Sequence, residues 1–420
     1  MITNEVCVDR FLNLYRKSFI SLKEAETAIA LHRSDDCVWH CFVALELWWK
    51  SLYWLYYKND PSNGGKNHMP SDPQLNDLVC ALNNALPMCT TEIQNLKCTI
   101  HKWKGTKNQT NPDLRLFAHY GYPELPNGNT TAKQTEILKD ALAIAPFMAN
   151  ILRQYNFKEN DKIGILVGFN VDLSKEDNLE LLKQMYPHSN QEGIVSWERV
   201  IKTMGFKSEK TFSAKIIPDK RLIINPFGES YPELTTDGKY PSYEEIKNYV
   251  YSGGILLLAG GHPFHYLWDE RTQQRLDTSY VTPINERVID IKGMWFKRDF
   301  KTDVLWNENP SFYAKTYQNL EDKKLIELAN LPEQLHIFRP VISNSISEEV
   351  RPIIRANTPK TNEEIWPVAR IRYGQGFLIH FGLELDSIAG QGSNIPSNEF
   401  TFIASFIKVF LQVNHENICT

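Results

Sequence analysis

The sequence lacks the features of a membrane-spanning or exported protein. No stretch approaches the roughly 18 consecutive apolar residues that a bilayer crossing needs, and the richest candidate, 37–57, is interrupted by His40, Glu46 and Lys50. The first 19 residues contain acidic side chains and no uninterrupted apolar core, so they do not resemble a secretory signal. We therefore predict a cytoplasmic protein that has no membrane partner.

The sequence also lacks a large net charge. Its 46 Lys and Arg residues against 50 Asp and Glu give a formal net charge of −4 at pH 7. This excludes the broad positive field that drives non-specific binding to nucleic acids, so any contact with RNA must be local. Neither a Walker-type phosphate loop nor a Gly-x-Gly-x-x-Gly motif after a strand is present, and we predict no cofactor.

Cysteine is scarce over most of the chain. Six of the seven cysteines lie within the first hundred residues, and the seventh is Cys419. In a reducing compartment they are most simply free thiols that act as small hydrophobic side chains. His32, Cys37, His40 and Cys41 are close enough in sequence to suggest a zinc site, but their spacing matches no closed zinc module. The sequence therefore predicts no metal.

Length and apolar pattern together predict two domains. A chain of 420 residues is too long for one ordinary domain of roughly 100 to 200 residues. Residues 1–157 show the three- and four-residue apolar spacing of α-helices, and an almost wholly apolar helix follows the cap-forming Ser34, Asp35 and Asp36. We predict a helical bundle over 1–157, with that apolar helix at its centre.

From residue 158 onward, short apolar runs alternate with helical segments, which is typical of a largely parallel α/β sheet. The clearest unit is a helix that begins at Pro241, ends at Gly253 and Gly254, and leads into the buried strand 255–259. We therefore predict an α + α/β fold, with a mostly parallel α/β domain over 158–420. Further strands are predicted at 162–169, 212–217, 221–224, 287–291, 350–355, 368–373 and 376–381, and further helices at 179–186, 194–204 and 399–413.

The first domain resembles HEPN domains, a helical family that includes metal-independent ribonucleases, partners of nucleotidyltransferases and inert assembly modules. The resemblance rests on the Ala-Leu-Glu-x-x-x-Lys pattern at 44–50 and on His119-Tyr-Gly-Tyr-Pro-Glu-Leu, which an Ala-rich helix at 132–151 follows. It implies a nuclease site made by an arginine and a histidine a few residues later. Arg115 and His119 have three residues between them. On a helix they share a face, where a guanidinium could hold a phosphate and an imidazole could transfer a proton.

Two alternatives to this nuclease site remain open. Tyr122 and Pro123 are more typical of the non-nuclease branch of the family, in which Arg115 and His119 would only fix a helix end. Arg33 and His40, with six residues between them, fit the family spacing better but precede the central helix. For an active nuclease, the resemblance implies a homodimer whose two copies form one site.

The second domain resembles class I glutamine amidotransferase-like domains over roughly 160–415. The resemblance rests on the opening strand at 162, the segment Ile223-Ile-Asn-Pro-Phe-Gly-Glu-Ser-Tyr-Pro, the helix-Gly-Gly-strand unit at 243–261 and the strand Gly374-Gln-Gly-Phe-Leu-Ile-His-Phe-Gly. In that family a catalytic cysteine sits on the turn after the strand equivalent to 255–259. No cysteine lies between Cys98 and Cys419, so a glutaminase mechanism is excluded.

A crevice at the carboxyl ends of the parallel strands is the expected ligand site of such a sheet. The side chains that follow predicted strand ends include those of Asn225, Glu229, His262, His265 and Asp386. We predict that these five residues line a site for a small molecule. The structural alternative is that Asn225 forms a turn and that Glu229 caps a neighbouring amide.

Two other clusters have two interpretations each. The aromatic residues of 39–57 could stack on bases, but their helix is apolar on all sides, which favours a core or a dimer interface. The basic cluster 101–107 interleaves cations with a tryptophan and could contact RNA, or it could be a solvated loop.

The sequence as a whole predicts a non-catalytic interaction or ligand-sensing protein. Its helical domain would bind a protein partner or a second copy of the chain, and its α/β crevice would bind a small molecule. The two family resemblances imply a component of a prokaryotic defence or toxin-type system, such as one directed against phage. The alternative is a ribonuclease effector that the amidotransferase-like domain regulates.

Overall fold

A computed structural model gives the fold of most of the chain. It describes residues 4–57, 69–104, 130–159, 161–168, 192–213, 215–233, 240–259, 264–269, 271, 274–277, 283–284, 287–288, 302, 304–305, 312–313, 316–318, 336–337, 339–343, 348–358, 362–382 and 398–416. Internal contacts divide the chain into a helical unit, which comprises mainly the residues up to Leu152 and Ile217–Asp219, and an α/β unit, which comprises Arg153–Ile216 and Lys220–Ile418. This arrangement confirms the predicted order of a helical part followed by an α/β part.

The helical unit contains long helices whose apolar faces form its core. The helices are α1 (Asn4–Ala30), α2 (Ser34–Tyr57), α3 (Asp72–Ala85), α4 (Thr90–Lys104) and α5 (Thr130–Glu159), with a short 3-10 turn at Pro87–Cys89. Helix α3 begins at a capping box in which Ser71 and Gln74 each bond to the other's backbone N–H. Helix α1 packs against α2, and the rings of Phe19 and Trp48 lie 5.5 Å apart.

The aromatic residues of α2 belong mainly to this core. Trp48 and Trp49 are fully buried, and Tyr53 and Trp54 are nearly so. This agrees with the core interpretation of the aromatic run rather than with base stacking. None of the helices in the described part of the chain combines the length and the apolar character that a bilayer crossing requires.

The α/β unit is built on a nine-stranded sheet. Its strands and those of three smaller sheets are β1 (Lys162–Val167), β2 (Lys207–Phe212), β3 (Ile223–Asn225), β4 (Ser230–Glu233), β5 (Ile255–Ala259), β6 (Tyr266–Asp269), β7 (Gln274–Asp277), β8 (Pro283–Ile284), β9 (Arg287–Val288), β10 (Phe312–Tyr313), β11 (Thr316–Gln318), β12 (His336–Ile337), β13 (Val341–Ile342), β14 (Val350–Asn357), β15 (Glu364–Tyr373) and β16 (Gly376–Phe381). The main sheet has the order β11-β14-β15-β16-β5-β3-β1-β2, and β13 also pairs with β15. Five neighbouring strands, from β16 to β2, are parallel, whereas β11, β13, β14, β15 and β16 pair antiparallel.

Helices cover both faces of the parallel strands, because alternate residues of each strand point to opposite sides. Helices α6 (Glu192–Thr203) and α8 (Asn398–Glu416) share one hydrophobic cluster with Ile255 and Leu257 of β5, and α7 (Pro241–Tyr251) shares the other with Leu256 and Leu258. Helix α7 ends in a Schellman motif, in which the N–H groups of Gly253 and Gly254 bond back to the last turn and Gly253 has a φ of +109°.

The mostly parallel α/β sheet agrees with the prediction at a coarse level, whereas one predicted strand does not. The strand predicted at 212–217 is wrong, because β2 lies earlier, at Lys207–Phe212. It is polar and largely exposed, and among the described strands it pairs with β1 alone, so it carries no apolar run to mark it. The prediction of a largely parallel sheet omitted the antiparallel extension through β14 and β15. The helix predicted at 179–186 lies outside the described residues.

Candidate functional site

The carboxyl ends of the parallel strands form one edge of the sheet. Asn225 ends β3 there, and its side chain is fully buried. Its Nδ2 donates a hydrogen bond of 3.0 Å to the carbonyl of Ser230, and its Oδ1 accepts one of 3.3 Å from the N–H of Phe227. The amide therefore shapes the turn between β3 and β4, as an Asx turn does.

Glu229, on the same turn, forms an ion pair with Arg339. Arg339 Nε lies 3.1 Å from Glu229 Oε1, and the two side chains are 13% and 15% exposed. The residues are 110 positions apart in the sequence, and sequence reasoning missed Arg339 because nothing in its local pattern marks it. The pair links the turn after β3 to the segment that precedes β13.

Arg339 has a left-handed backbone conformation, and a histidine of β16 holds its carbonyl group in place. Its φ is +56°, in the left-handed region that L-residues other than glycine seldom adopt. Its carbonyl oxygen lies 2.8 Å from Nε2 of His380, which is fully buried. Backbone conformations of this kind cost about 1–3 kcal/mol and cluster at ligand-binding and active sites.

His265 lies beside Glu229 in the small sheet next to this edge. Strands β4 and β6 are parallel and pair Ser230 with Tyr266, so the residues directly before them, Glu229 and His265, occupy neighbouring positions. The N–H of Tyr266 donates a 3.0 Å hydrogen bond to the carbonyl of Glu229. Of the five residues predicted to line a ligand site, the structure thus brings together Asn225, Glu229 and His265, whereas His262 and Asp386 lie outside the described residues.

Phe264, directly before His265, has a strained backbone and packs in an aromatic cluster. Phe264 has a φ of +60°. Its buried ring lies 5.2 Å from the ring of Tyr231 and 5.8 Å from that of Tyr243. This packing fixes the backbone that leads into His265, since the ring could not leave the cluster without exposing apolar surface.

A second carboxylate of this region, Glu233, is fully buried and caps α7. Its Oε1 and Oε2 accept hydrogen bonds of 2.9 Å from the N–H groups of Ser242 and Tyr243, which are in the first turn of the helix. Burial, reinforced by the negative charge of Glu233, raises the pKa of Tyr231 well above its ordinary value and also raises that of Tyr240. Both phenols therefore stay protonated to a higher pH than an ordinary tyrosine does.

The nuclease candidates of the helical unit divide into two groups. Arg115 and His119 lie outside the described residues. Arg33 and His40 are described, and each faces a carboxylate: Arg33 Nη1 lies 3.3 Å from Asp36 Oδ2, and His40 Nδ1 lies 3.0 Å from Glu24 Oε2. Arg33 and His40 therefore make contacts with carboxylates of the helical unit itself.

Two motifs of the helical unit also form structural contacts. Glu46 and Lys50 of the Ala-Leu-Glu-x-x-x-Lys pattern form an ion pair of 2.6 Å. In the basic cluster, Lys102 Nζ and Trp103 Nε1 lie 2.6 and 2.9 Å from Asp140 Oδ2 of α5. No group of three or more His, Cys, Asp or Glu side chains could hold a metal within the described residues, which include His32, Cys37, His40 and Cys41.

Comparison with known proteins gives no family. No protein-family model matches the sequence, and no curated protein sequence matches it. Among solved structures, the chain is similar to the β-galactosidase from Rahnella sp. R3, with 11% identity and a TM-score of 0.37 over 70% of this chain and 36% of that one. It is also similar to the β-galactosidase from Bacillus circulans sp. alkalophilus, with 10% identity and a TM-score of 0.35 over 69% of this chain and 36% of that one.

A third similar structure is the exo-β-1,4-mannosidase Op5Man5 from Opitutaceae bacterium strain TAV5, with 11% identity and a TM-score of 0.30 over 70% of this chain and 38% of that one. The chain thus spans little more than a third of the length of these three enzymes. TM-scores this low support no statement about fold or activity. The resemblances to HEPN domains and to amidotransferase-like domains stay predictions from the sequence.

Proposed function

We propose that this chain is a non-catalytic, ligand-sensing or interaction protein that binds a small molecule at the carboxyl edge of its parallel strands. The observation that carries the proposal is the half-buried ion pair between Glu229 and Arg339, with His265 at a neighbouring position. Charged and polar side chains converge here at the end of an open α/β sheet, where such folds bind their ligands.

The chemistry of the edge favours binding over catalysis. Two carboxylates near this edge make contacts within the fold: Glu229 pairs with Arg339, and Glu233 accepts hydrogen bonds from the backbone of α7. The chain has no cysteine between Cys98 and Cys419, so the residues directly after β5 supply no thiol for the covalent step of a glutaminase. A site of this kind binds a ligand, and binding then alters the segments that the ligand contacts.

The biological setting follows from the two resemblances. A HEPN-like helical domain joined to an amidotransferase-like domain without its cysteine fits a component of a prokaryotic defence or toxin-type system. The helical unit would bind a protein partner or a second copy of the chain, and the α/β unit would report on a small molecule. A HEPN-type ribonuclease, with Arg115 and His119 as its catalytic residues, is the alternative function.

The proposal is tested by thermal unfolding of the full chain with neutral sugars, small carboxylates and phosphates. At least one class should raise the unfolding temperature, since a ligand that binds only the folded state stabilises it. The rise should be lost in Arg339→Gln and His265→Ala and kept in Glu348→Ala, which changes an exposed residue. A parallel assay should find no ammonia released from glutamine. Ammonia release, or no temperature rise with any class, would overturn the proposal.

A further inference from the structure

We propose that the ligand at this edge is a small oxyanion, a carboxylate or a phosphate, which binds the guanidinium of Arg339 in place of the Glu229 carboxylate. This inference rests on the proposed function and names the class of ligand. In this view Glu229 occupies the anion site of its own protein until an outside anion replaces it.

The contact between the two residues shows which chemistry the site accepts. The Arg339 guanidinium holds a carboxylate oxygen at 3.1 Å through Nε. A guanidinium is planar and always charged, and its forked N–H groups match the oxygens of carboxylates and phosphates. A ligand oxyanion would therefore meet the same donor that the Glu229 side chain meets now.

A comparison with Glu233 shows why Glu229 is the exchangeable carboxylate. Glu233 is fully buried inside β4 and accepts two backbone N–H groups of α7, so its removal would leave buried donors without partners. Glu229 lies on the turn before β4 and is 15% exposed, and the bond that joins it to Tyr266 is made by its backbone carbonyl. Its side chain can turn away without breaking the pairing of β4 with β6.

Arg339 would keep its position during the exchange. Its carbonyl is held by Nε2 of the buried His380 at 2.8 Å. The backbone also passes close to Gly382, where an added Cβ would lie 2.8 Å from the Arg339 carbonyl oxygen. These contacts do not involve Glu229, so they persist when its carboxylate leaves. An anion site that is already in place binds with less loss of conformational freedom than one that forms on binding.

The chain also offers a matched control. Arg355 and Glu364 form another ion pair in the same unit, at 3.3 Å, with side chains 38% and 39% exposed. They lie on the antiparallel strands β14 and β15, outside the group of parallel strands. Glu364→Gln therefore changes the same kind of residue in the same kind of pair, away from the proposed site.

The experiment is calorimetric titration of the full chain with inorganic phosphate, with acetate and with glucose, at constant ionic strength. Wild type should bind an anion weakly and glucose not at all. Glu229→Gln should bind the anion roughly tenfold more tightly, a factor that corresponds to about 1.4 kcal/mol, because the internal competitor has lost its charge. Glu364→Gln should match wild type. Arg339→Gln should not bind.

Arg339→Lys is the second variant if Arg339→Gln fails to fold, and it should bind several times more weakly, because it keeps the charge but loses the planar fork. Unchanged affinity in Glu229→Gln, or undiminished affinity in the arginine variants, would overturn the inference. Binding of glucose alone would overturn the anion class and leave the proposed function in place. Absence of binding of every probe to both Glu229→Gln and wild type would overturn the inference. The proposed function would still stand in that case if the broader panel gave a rise in unfolding temperature.

Discussion

The buried carboxylate of Glu233 accepts a 2.9 Å hydrogen bond from the backbone N–H of Tyr243. Its other oxygen accepts the N–H of Ser242 at the same distance. The residue preceding the helix, Tyr240, makes no side-chain cap, so Glu233 of β4 caps the first turn of α7 instead. The negative charge also lies at the positive end of the helix dipole, which stabilises it there.

Glu233→Gln should therefore destabilise the α/β unit by about 2 kcal/mol, since hydrogen bonds to charged groups contribute about 1.5–3 kcal/mol. The neutral amide would also place an N–H₂ group near two backbone donors. The free energy of unfolding is measured by urea denaturation. Glu244→Gln, at an exposed position of the same helix turn, should change it by less than about 0.5 kcal/mol. Equal effects of the two substitutions would contradict the capping role.

Gly376→Ala should destabilise the fold because the added Cβ would clash with backbone atoms. A Cβ at this position would lie 2.1 Å from the carbonyl oxygen of Val250 and 2.2 Å from that of Gly254. Neither backbone atom can move without shifting the end of α7 or the start of β5, so we expect a loss of about 3 kcal/mol or more.

Gly205→Ala is the matched control for Gly376→Ala. Gly205 has a φ of +85° and nothing within 4 Å of an added Cβ. Alanine there meets only the conformational cost of a left-handed residue, about 1–2 kcal/mol. Urea denaturation gives the free energy of unfolding of both variants, and we expect Gly376→Ala to lower it more. A larger loss in Gly205→Ala would show that the Cβ clash at residue 376 does not destabilise the fold.

Glu209 should make stability depend on pH at the acid end. Burial raises the pKa of its carboxyl, but hydrogen bonds from Lys162 and Lys220 outweigh burial and leave the pKa below its ordinary 4.5. The Nζ atoms of these lysines lie 2.6 and 2.9 Å from its two oxygens. A pKa that is lower in the folded state means that the carboxylate stabilises the fold above the unfolded-state pKa, and that this contribution is lost as pH falls through the folded-state pKa.

The measurement is the urea midpoint of wild type and Glu209→Gln between about pH 3 and pH 7. Wild type should be the more stable near neutral pH, and the difference should shrink below the ordinary pKa of 4.5. Glu348→Gln, at an exposed position, should follow wild type throughout. A difference between wild type and Glu209→Gln that stays constant with pH would show that the ion pairs do not lower the pKa.

Purified full chain should leave total RNA intact. Arg115 and His119 fit the family spacing less well than Arg33 and His40 do, and Tyr122 with Pro123 is typical of the non-nuclease branch. Gel analysis of RNA incubated with wild type, Arg115→Ala and His119→Ala should show the same intact bands in every lane. Cleavage by wild type that both variants lose would establish the ribonuclease alternative, and loss of cleavage in Arg33→Ala would point to the second candidate pair.

The sequence correctly predicted those elements for which the apolar run and the flanking turn residues indicate the same bounds. The strand Ile255–Ala259 and the start of its preceding helix at Pro241 match the structure residue for residue, because a buried apolar run stands between turn-forming glycines and a helix-starting proline. The strand Gly376–Phe381 also matches, since the two-residue turn before it has Gly374 at a φ of +57°, which suits a type II′ hairpin.

Elements without an apolar signal were misplaced or missed. Strand β2 begins with Lys, Ser, Glu, Lys and Thr, because it lies at the edge of the sheet among the described strands and is exposed over much of its surface. The antiparallel extension through β14 could not be inferred either, since strand order depends on pairing between distant segments rather than on the pattern within each.

By itself, the sequence determined the order of a helical part and an α/β part, the absence of cysteine between Cys98 and Cys419, and the positions of Asn225, Glu229 and His265 near strand ends. Only the tertiary structure decided that Glu229 pairs with Arg339, 110 positions away, and that Glu233 caps α7. The physical reason is that periodicity and turn propensity act over a few residues, whereas an ion pair or a cap across elements requires the packed sheet to bring its two groups within 3 Å or so.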